Sequence, residues 1–230
     1  MSNKIISEGK CLYCDKEITA RTIVTHLVKH LTEIEKSNKE KTKLFYHIEV
    51  KAKYDKKFFL QLLFESESKL KVIDDFLRDI WLECCGHISA FRSQHNEIKM
   101  NKKVGEVFSI FDKIDYDYDF GSTTSLELNG IKSYNLPFLD EKIILLSRNE
   151  PLKLICRACD VSPAETMCIV CCDENGFYAY CKKCAKKHKK TCEDFADYAE
   201  VEIVNSPRCG ECGYTGGSID LERDGVYKVN

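Results

Sequence analysis

Between Cys156 and Cys192 the chain repeats metal-ligand residue types at spacings that few folds besides small metal-organised modules need, C-x2-C-x8-C-x2-C-x9-C-x2-C-x3-H-x3-C. Two cysteines separated by two residues sit on one tight turn with both sulfurs facing a single ion, and eight such ligands fit two tetrahedral ions. If Cys184 to Cys192 is helical, the rise of about 1.5 Å per residue puts these two ligands about 12 Å apart. Sulfurs on one zinc lie only about 4 Å apart, so the two belong to different ions. This assigns Cys156, Cys159, Cys181 and Cys184 to one ion and Cys168, Cys171, His188 and Cys192 to the other.

A second ligand pattern opens the chain. Cys11, Cys14, His26 and His30 read C-x2-C-x11-H-x3-H, with histidines four apart on one helix face and a loop one residue shorter than in the commonest finger. Ile18, Ile23 and Leu27 have the spacing of a miniature core, and Arg21, Thr22, Thr25 and Lys29 are placed to point outward. Fingers of this kind often enter a DNA groove, but an isolated one buries little nucleic acid and serves equally as a protein contact.

The chain has 14 cysteines, mostly in C-x2-C units. Met1 to Lys10 lacks an apolar core followed by a small-residue cleavage site, so metal ligation by zinc is expected rather than disulfides, in a soluble, cytoplasmic setting. No stretch approaches the ~18 apolar residues a spanning helix needs, so no membrane association is expected. The net charge of −2 hides a gradient: residues 1–57 carry 13 Lys+Arg against 8 Asp+Glu, and residues 58–150 carry 11 against 16. This lacks the broad positive field of strong nonspecific nucleic-acid binding, so a protein partner is expected ahead of nucleic acid.

The middle of the chain has mixed periodicity. Tyr46, Ile48 and Val50 alternate with polar residues and Phe58 to Phe64 is apolar, which predicts a hairpin turning near Tyr54 to Lys56. Ser68 to Leu82 places Leu70, Ile73, Phe76, Leu77, Ile80 and Trp81 at helical spacing. Strands are expected at 87–92, 113–120, 124–128 and 142–146, and a short helix at 104–111. The fold class is α+β, an antiparallel sheet with one covering helix, flanked by small zinc-binding modules. The expected division is a finger at 1–34, a linker at 35–43, an α+β domain at 44–149, and a cysteine-rich module with its tail at 150–230.

Cys84, Cys85 and His87 meet at the expected helix end, and Cys209 and Cys212 add a further C-x2-C. Two cysteines cannot complete a zinc site. They either borrow Cys84, Cys85 or His87 and join the modules, or form a redox pair; the alternative is a thiol-dependent or nucleic-acid-processing enzyme built around Cys84, Cys85, His87, Arg208 and Cys212. Asp119-Phe120-Gly121 carries the letters of a kinase magnesium motif without that enzyme's other loops, and its glycine is expected to permit a bend between strands.

The stretch from Tyr46 to about Leu146, with WLECCGHISAF and DYDYDFGSTTSLEL, resembles the plasmid Ri Orf-three-like family, whose members are often labelled insertion-element passengers or TnpR-like proteins. The resemblance implies a compact α+β domain of bacterial or mobile-element origin and names no reaction. Many relatives have D-x-W-x-H after the glycine, where this chain has Ser122-Thr-Thr124-Ser-Leu126, so a role for that tryptophan and histidine does not carry over. Relatives tend to share the segment Asn205-Ser-Pro-Arg208 and a later Cys-Gly-Tyr, which singles out Cys212 over Cys209. The carboxy-terminal spacing resembles MYND and B-box modules, nearest at Tyr180 to His188, and that resemblance implies protein interaction. Taken together, these readings predict a noncatalytic zinc adaptor that contacts a protein or nucleic acid.

Overall fold

The computed structural model describes residues 5–39, 41–94, 96–137, 140–173 and 176–217. The element order begins with a small hairpin of β1 (Glu8–Lys10) and β2 (Glu17–Thr19), followed by helix α1 (Ile23–Ser37). The helix therefore extends into the charged segment between Glu33 and Lys43 as far as Ser37, and β3 (Thr42–Ala52) starts at the end of that segment.

Strand β3 pairs antiparallel with β4 (Phe59–Glu65), closing the expected hairpin. Helix α2 (Leu70–Leu77) follows and widens into a π-helical turn at Arg78–Leu82. Next come β5 (Ser89–Ser93), β6 (Asn96–Ile98), α3 (Val104–Phe108), β7 (Lys113–Tyr118), β8 (Thr124–Pro137) and β9 (Ile143–Arg148). Among the described residues these strands form a seven-stranded sheet in the order β6-β5-β7-β8-β3-β4-β9, every pairing antiparallel. Strand β8 is far longer than the 124–128 expected, because it crosses Gly130 and continues beside β3 past a bulge at His47/Ile48. A Cβ on Gly130 would stand 2.9 Å from the Phe108 ring, so the strand accepts a poor strand former where α3 needs the space.

The two faces of this sheet are buried by different partners. Alternate residues of β4 point opposite ways. Leu60, Leu62 and Phe64 join Leu70, Ile73, Phe76, Ile80 and Trp81 in the main core. Phe59 and Leu63 join Ile23, Leu27 and Leu31 of α1 in a second core. The expectation of one covering helix thus gains a second, and the finger is welded to the sheet. Leu12 N–H donates to the Leu146 carbonyl at 2.9 Å, and Glu150 N–H to the Glu8 carbonyl at 2.7 Å. Gly9, bridged to Asn149, passes so close to the sheet edge that a Cβ would lie 2.5 Å from the Arg148 carbonyl oxygen.

The carboxy-terminal part is a three-stranded sheet, β11-β10-β12, made of β10 (Thr166–Asp173), β11 (Gly176–Tyr180) and β12 (Glu200–Glu202). Helix α4 (Lys182–His188) and a π-helical turn at Phe195–Ala199 lie between β11 and β12. The helix ends at His188, short of the Cys184–Cys192 helix expected, and a turn in which Cys192 N–H donates to the His188 carbonyl continues it. After β12 the chain leaves this sheet and returns to the central domain. Ser206 Oγ donates to the Trp81 carbonyl at 2.6 Å, and Arg148 Nη2 to the Asn205 carbonyl at 2.9 Å.

Candidate metal centres

In the finger, the turn that presents the cysteines is built by backbone geometry. Cys11 N–H donates to the Lys16 carbonyl, and Asp15 N–H returns to the Cys11 carbonyl, both at 2.9 Å. Asp15 closes the turn in the left-handed region, φ 58°. Helix α1 then brings His26 Nε2 to 3.3 Å from Cys14 Sγ and sets the two imidazoles edge to face, with ring centroids 4.7 Å apart. The ligand atoms of Cys11, Cys14, His26 and His30 all lie within 4.8 Å of one another. Burial pushes the Cys11 thiol up, so its sulfur resists ionising in this position without a cation beside it.

The carboxy-terminal cysteines and histidine fall into two interleaved sets, each with its ligand atoms within 4.8 Å: Cys156, Cys159, Cys181 and Cys184, and Cys168, Cys171, His188 and Cys192. In the first, Asp160 N–H donates to the Cys156 carbonyl and Ala185 N–H to the Cys181 carbonyl, two matching turns with Cys181 as the cap of α4. Backbone N–H groups of Ser162 and Val161 aimed at its sulfur hold the Cys159 thiol down at about 6. Burial and the neighbouring thiols Cys156 and Cys181 push Cys184 up to about 12.

The second set depends on a break in a strand. The β10–β11 register shifts between Cys168, opposite Tyr178, and Cys172, opposite Phe177. That bulge lets Cys168 and Cys171 form a ligand turn inside the strand, and Cys171 N–H donates to Cys168 Sγ at 3.3 Å. Burial and the nearby Cys168 and Cys192 thiols push Cys171 up to about 12. His188 stacks on Tyr180 with centroids 4.4 Å apart and meets Phe195 edge to face. Its Nε2 is buried with no hydrogen-bond partner. A buried imidazole nitrogen left without a partner costs stability unless something else engages it, and a metal ion is the partner this donor set fits.

The residues left open in the sequence also find places. Cys84, Cys85, His87 and Cys212 form a fourth group of ligand atoms within 4.8 Å. Cys209 does not join them: its sulfur faces the Glu202 carbonyl and Val204 N–H. Burial opposes ionisation of Cys84, yet Arg208 donating to its sulfur brings that thiol below its usual value. The neighbouring Cys212 and Cys84 push Cys85 up to about 11.

Arg208, wholly buried, donates to Asp119 Oδ2 at 2.7 Å and to the Ser122 carbonyl and Thr124 Oγ1 at 3.0 Å each. The Arg208 and Gly121 N–H donors hold the Asp119 carboxyl below the usual range. The kinase-like letters are thus a counter-ion for Arg208. The left-handed residue of that turn is Asp119, φ 63°, rather than Gly121.

The described residues thus define an α+β protein, a mixed helix and antiparallel-sheet scaffold that carries four Cys/His groups able to hold a metal ion. No family model and no curated protein matches the chain. Among solved structures it is similar to a protein of unknown function from Methanosarcina mazei Go1, at 13% identity and a TM-score of 0.40, over 46% of this chain and 69% of that one. No described helix is long and apolar enough to cross a membrane.

Proposed function

We propose that the chain is a noncatalytic zinc-binding adaptor whose carboxy-terminal module contacts a protein. The observation that carries this reading is the completeness of the ligand sets. The twelve residues of the finger and the interleaved pair divide into three groups of four. Four Cys and His donors satisfy a tetrahedral zinc and leave no position for a substrate or an activated water. Thiolate and imidazole donors select zinc over magnesium or calcium.

A protein partner is favoured by what the module shows to solvent. Val161 is 80% exposed, Phe177 39% and Tyr198 60%, apolar side chains that a protein surface would cover. A second reading, an acidic or phosphate-bearing partner such as nucleic acid, rests on the six exposed lysines at 182, 183, 186, 187, 189 and 190, and on exposed Arg21, Thr25 and Lys29 of the finger. The cysteines are all free, which supports a reducing, cytoplasmic setting. Resemblance of the middle domain to the plasmid Ri Orf-three-like family supports an origin in a mobile element.

The test is affinity capture by the tagged holoprotein, with and without nuclease, beside a Val161→Asp/Phe177→Asp variant. A protein that survives nuclease and is lost with the double variant at unchanged metal content supports the reading. Capture abolished by nuclease, or by Lys→Ala changes along α4 while the double variant binds normally, replaces it with the second.

A further inference from the structure

Three of the four clusters draw their ligands from a single module. The fourth does not. Cys84, Cys85 and His87 lie just beyond the π-helical turn of the central domain, and Cys212 lies 125 residues after His87, on the segment that follows the carboxy-terminal sheet. We propose that Cys84, Cys85, His87 and Cys212 hold a further zinc ion that staples this segment to the central domain.

The spacing of the donor atoms carries the proposal. Cys84 Sγ lies 3.8 Å from Cys85 Sγ, and Cys85 Sγ lies 3.7 Å from Cys212 Sγ. With zinc–sulfur bonds of about 2.3 Å, two thiolates on one tetrahedral ion stand about 3.8 Å apart. A disulfide requires about 2.05 Å, so the sulfurs are too far apart to be bonded to each other. His87 Nε2 completes the set at 3.0 Å from Cys85 Sγ and 3.3 Å from Cys212 Sγ. One imidazole nitrogen has a single proton or a single lone pair, so it serves both sulfurs by hydrogen bonding only through a shared, weaker bond. One ion between the donors engages all of them.

Both halves of the site are held in place by contacts beyond the four ligands themselves. On the central domain, Arg78 Nη2 donates to the His87 carbonyl at 2.6 Å, and the Glu83 carboxylate accepts from Gly86 N–H at 2.5 Å. Gly86 sits at φ 82°, a conformation that frees the loop to turn both cysteines and His87 to one point. On the incoming segment, Ser206 and Arg208 are fully buried anchors. Arg208 Nη2 lies 3.5 Å from Cys84 Sγ, placing a positive charge beside a site whose three thiolates outweigh a divalent ion. Cys212 holds the left-handed region, φ 48°, which a non-glycine residue keeps only when its surroundings require it.

This centre also differs from the other three in exposure. Cys85 and Cys212 face solvent, whereas each of the other clusters includes at least one buried cysteine. Cys172, a thiol outside every cluster, is equally exposed and serves as an internal reference.

The test uses the full-length holoprotein, purified without chelator, with bound metal counted by elemental mass spectrometry and alkylated cysteines mapped after iodoacetamide treatment. Cys172 is expected to react promptly, with Cys85 and Cys212 protected about tenfold or more until a zinc chelator is added. The metal count is expected to be four per chain, falling to three in Cys212→Ser. The proposal is overturned if Cys85 and Cys212 react as fast as Cys172, if reductant rather than chelator unmasks them, or if the wild-type count is three and unchanged in the variant. Should Cys212→Ser fail to fold, alkylation of the wild-type protein decides alone. A wild-type count below three contradicts the three-centre reading above, and the Cys85 to Cys172 comparison still decides the fourth.

Discussion

The central domain and the carboxy-terminal module solve the same problem with different materials. The main core of the central domain gathers Trp81, Phe64, Phe91, Tyr116 and Leu126 among many other apolar side chains, enough buried surface to fold by the hydrophobic effect. The buried set of the carboxy-terminal module is Cys156, Cys168, Tyr180, Cys181, Cys184, Ala185, Phe195 and Ala199, half of it cysteine. So few large apolar side chains offset little of the entropy of ordering the chain, and on the proposed function metal ions in the two centres supply the rest. The finger falls between the two, since its ligand turn and helix share a core with Phe45, Phe59, Leu63 and Leu146 of the sheet.

The largest expected effect is on the module. Structural zinc contributes roughly 10–16 kcal/mol in finger peptides, so Cys184→Ser should unfold residues 154–203 while the central sheet survives. Limited proteolysis read by mass spectrometry would show cuts confined to that segment. If the module stays protected without its ion, the contrast drawn above is wrong. Trp81→Ala should do the reverse, costing the central domain about 3–5 kcal/mol in denaturant titration while the three closed centres retain metal.

Leu27→Ala tests the intermediate case. Leu27 is fully buried between finger and sheet, and its truncation should cost about 2–5 kcal/mol and lower the unfolding midpoint of the central domain together with the finger. A midpoint unchanged for the sheet would make the finger an independent unit.

His47 gives the finest discrimination. It is buried on the finger side of the sheet, bonded through Nε2 to Gln61, which in turn donates to Glu49, and burial lowers its pKa from 6.5 to about 4. Because the folded value lies below the unfolded one, its contribution is fully present above pH 6.5 and is lost as pH falls toward 4, to a total of roughly 3 kcal/mol. His47→Gln should flatten the stability profile across that window and leave it unchanged above it. An unaltered slope would place the acid sensitivity elsewhere.

How legible these features were depended on how local they are. The spacing of Cys11, Cys14, His26 and His30 writes its turn and helix directly into the sequence, and the helical period from Leu70 to Trp81 does the same for α2 and the π-helical turn. Strand β8 was cut short because Gly130 weakens any local strand signal, and the reason it is tolerated, the Phe108 ring, comes from a different element. The second covering helix was hidden for a similar reason: Ile23, Leu27 and Leu31 look sufficient for a finger's own small core. Arg208 and Asp119 meet across 89 residues, and Cys85 and Cys212 across 127, separations at which no periodicity survives.

The interleaving of the two carboxy-terminal centres sets an order of assembly on the ribosome. The first centre cannot close until Cys184 has emerged, and by then the chain carrying Cys168 and Cys171 is already enclosed in its loop. The second waits for Cys192, so each nascent chain passes through a stage with two thiols exposed and half a centre built. On the proposed function, a cell short of zinc would leave both centres open, with the central domain folded and the module exposed to proteases.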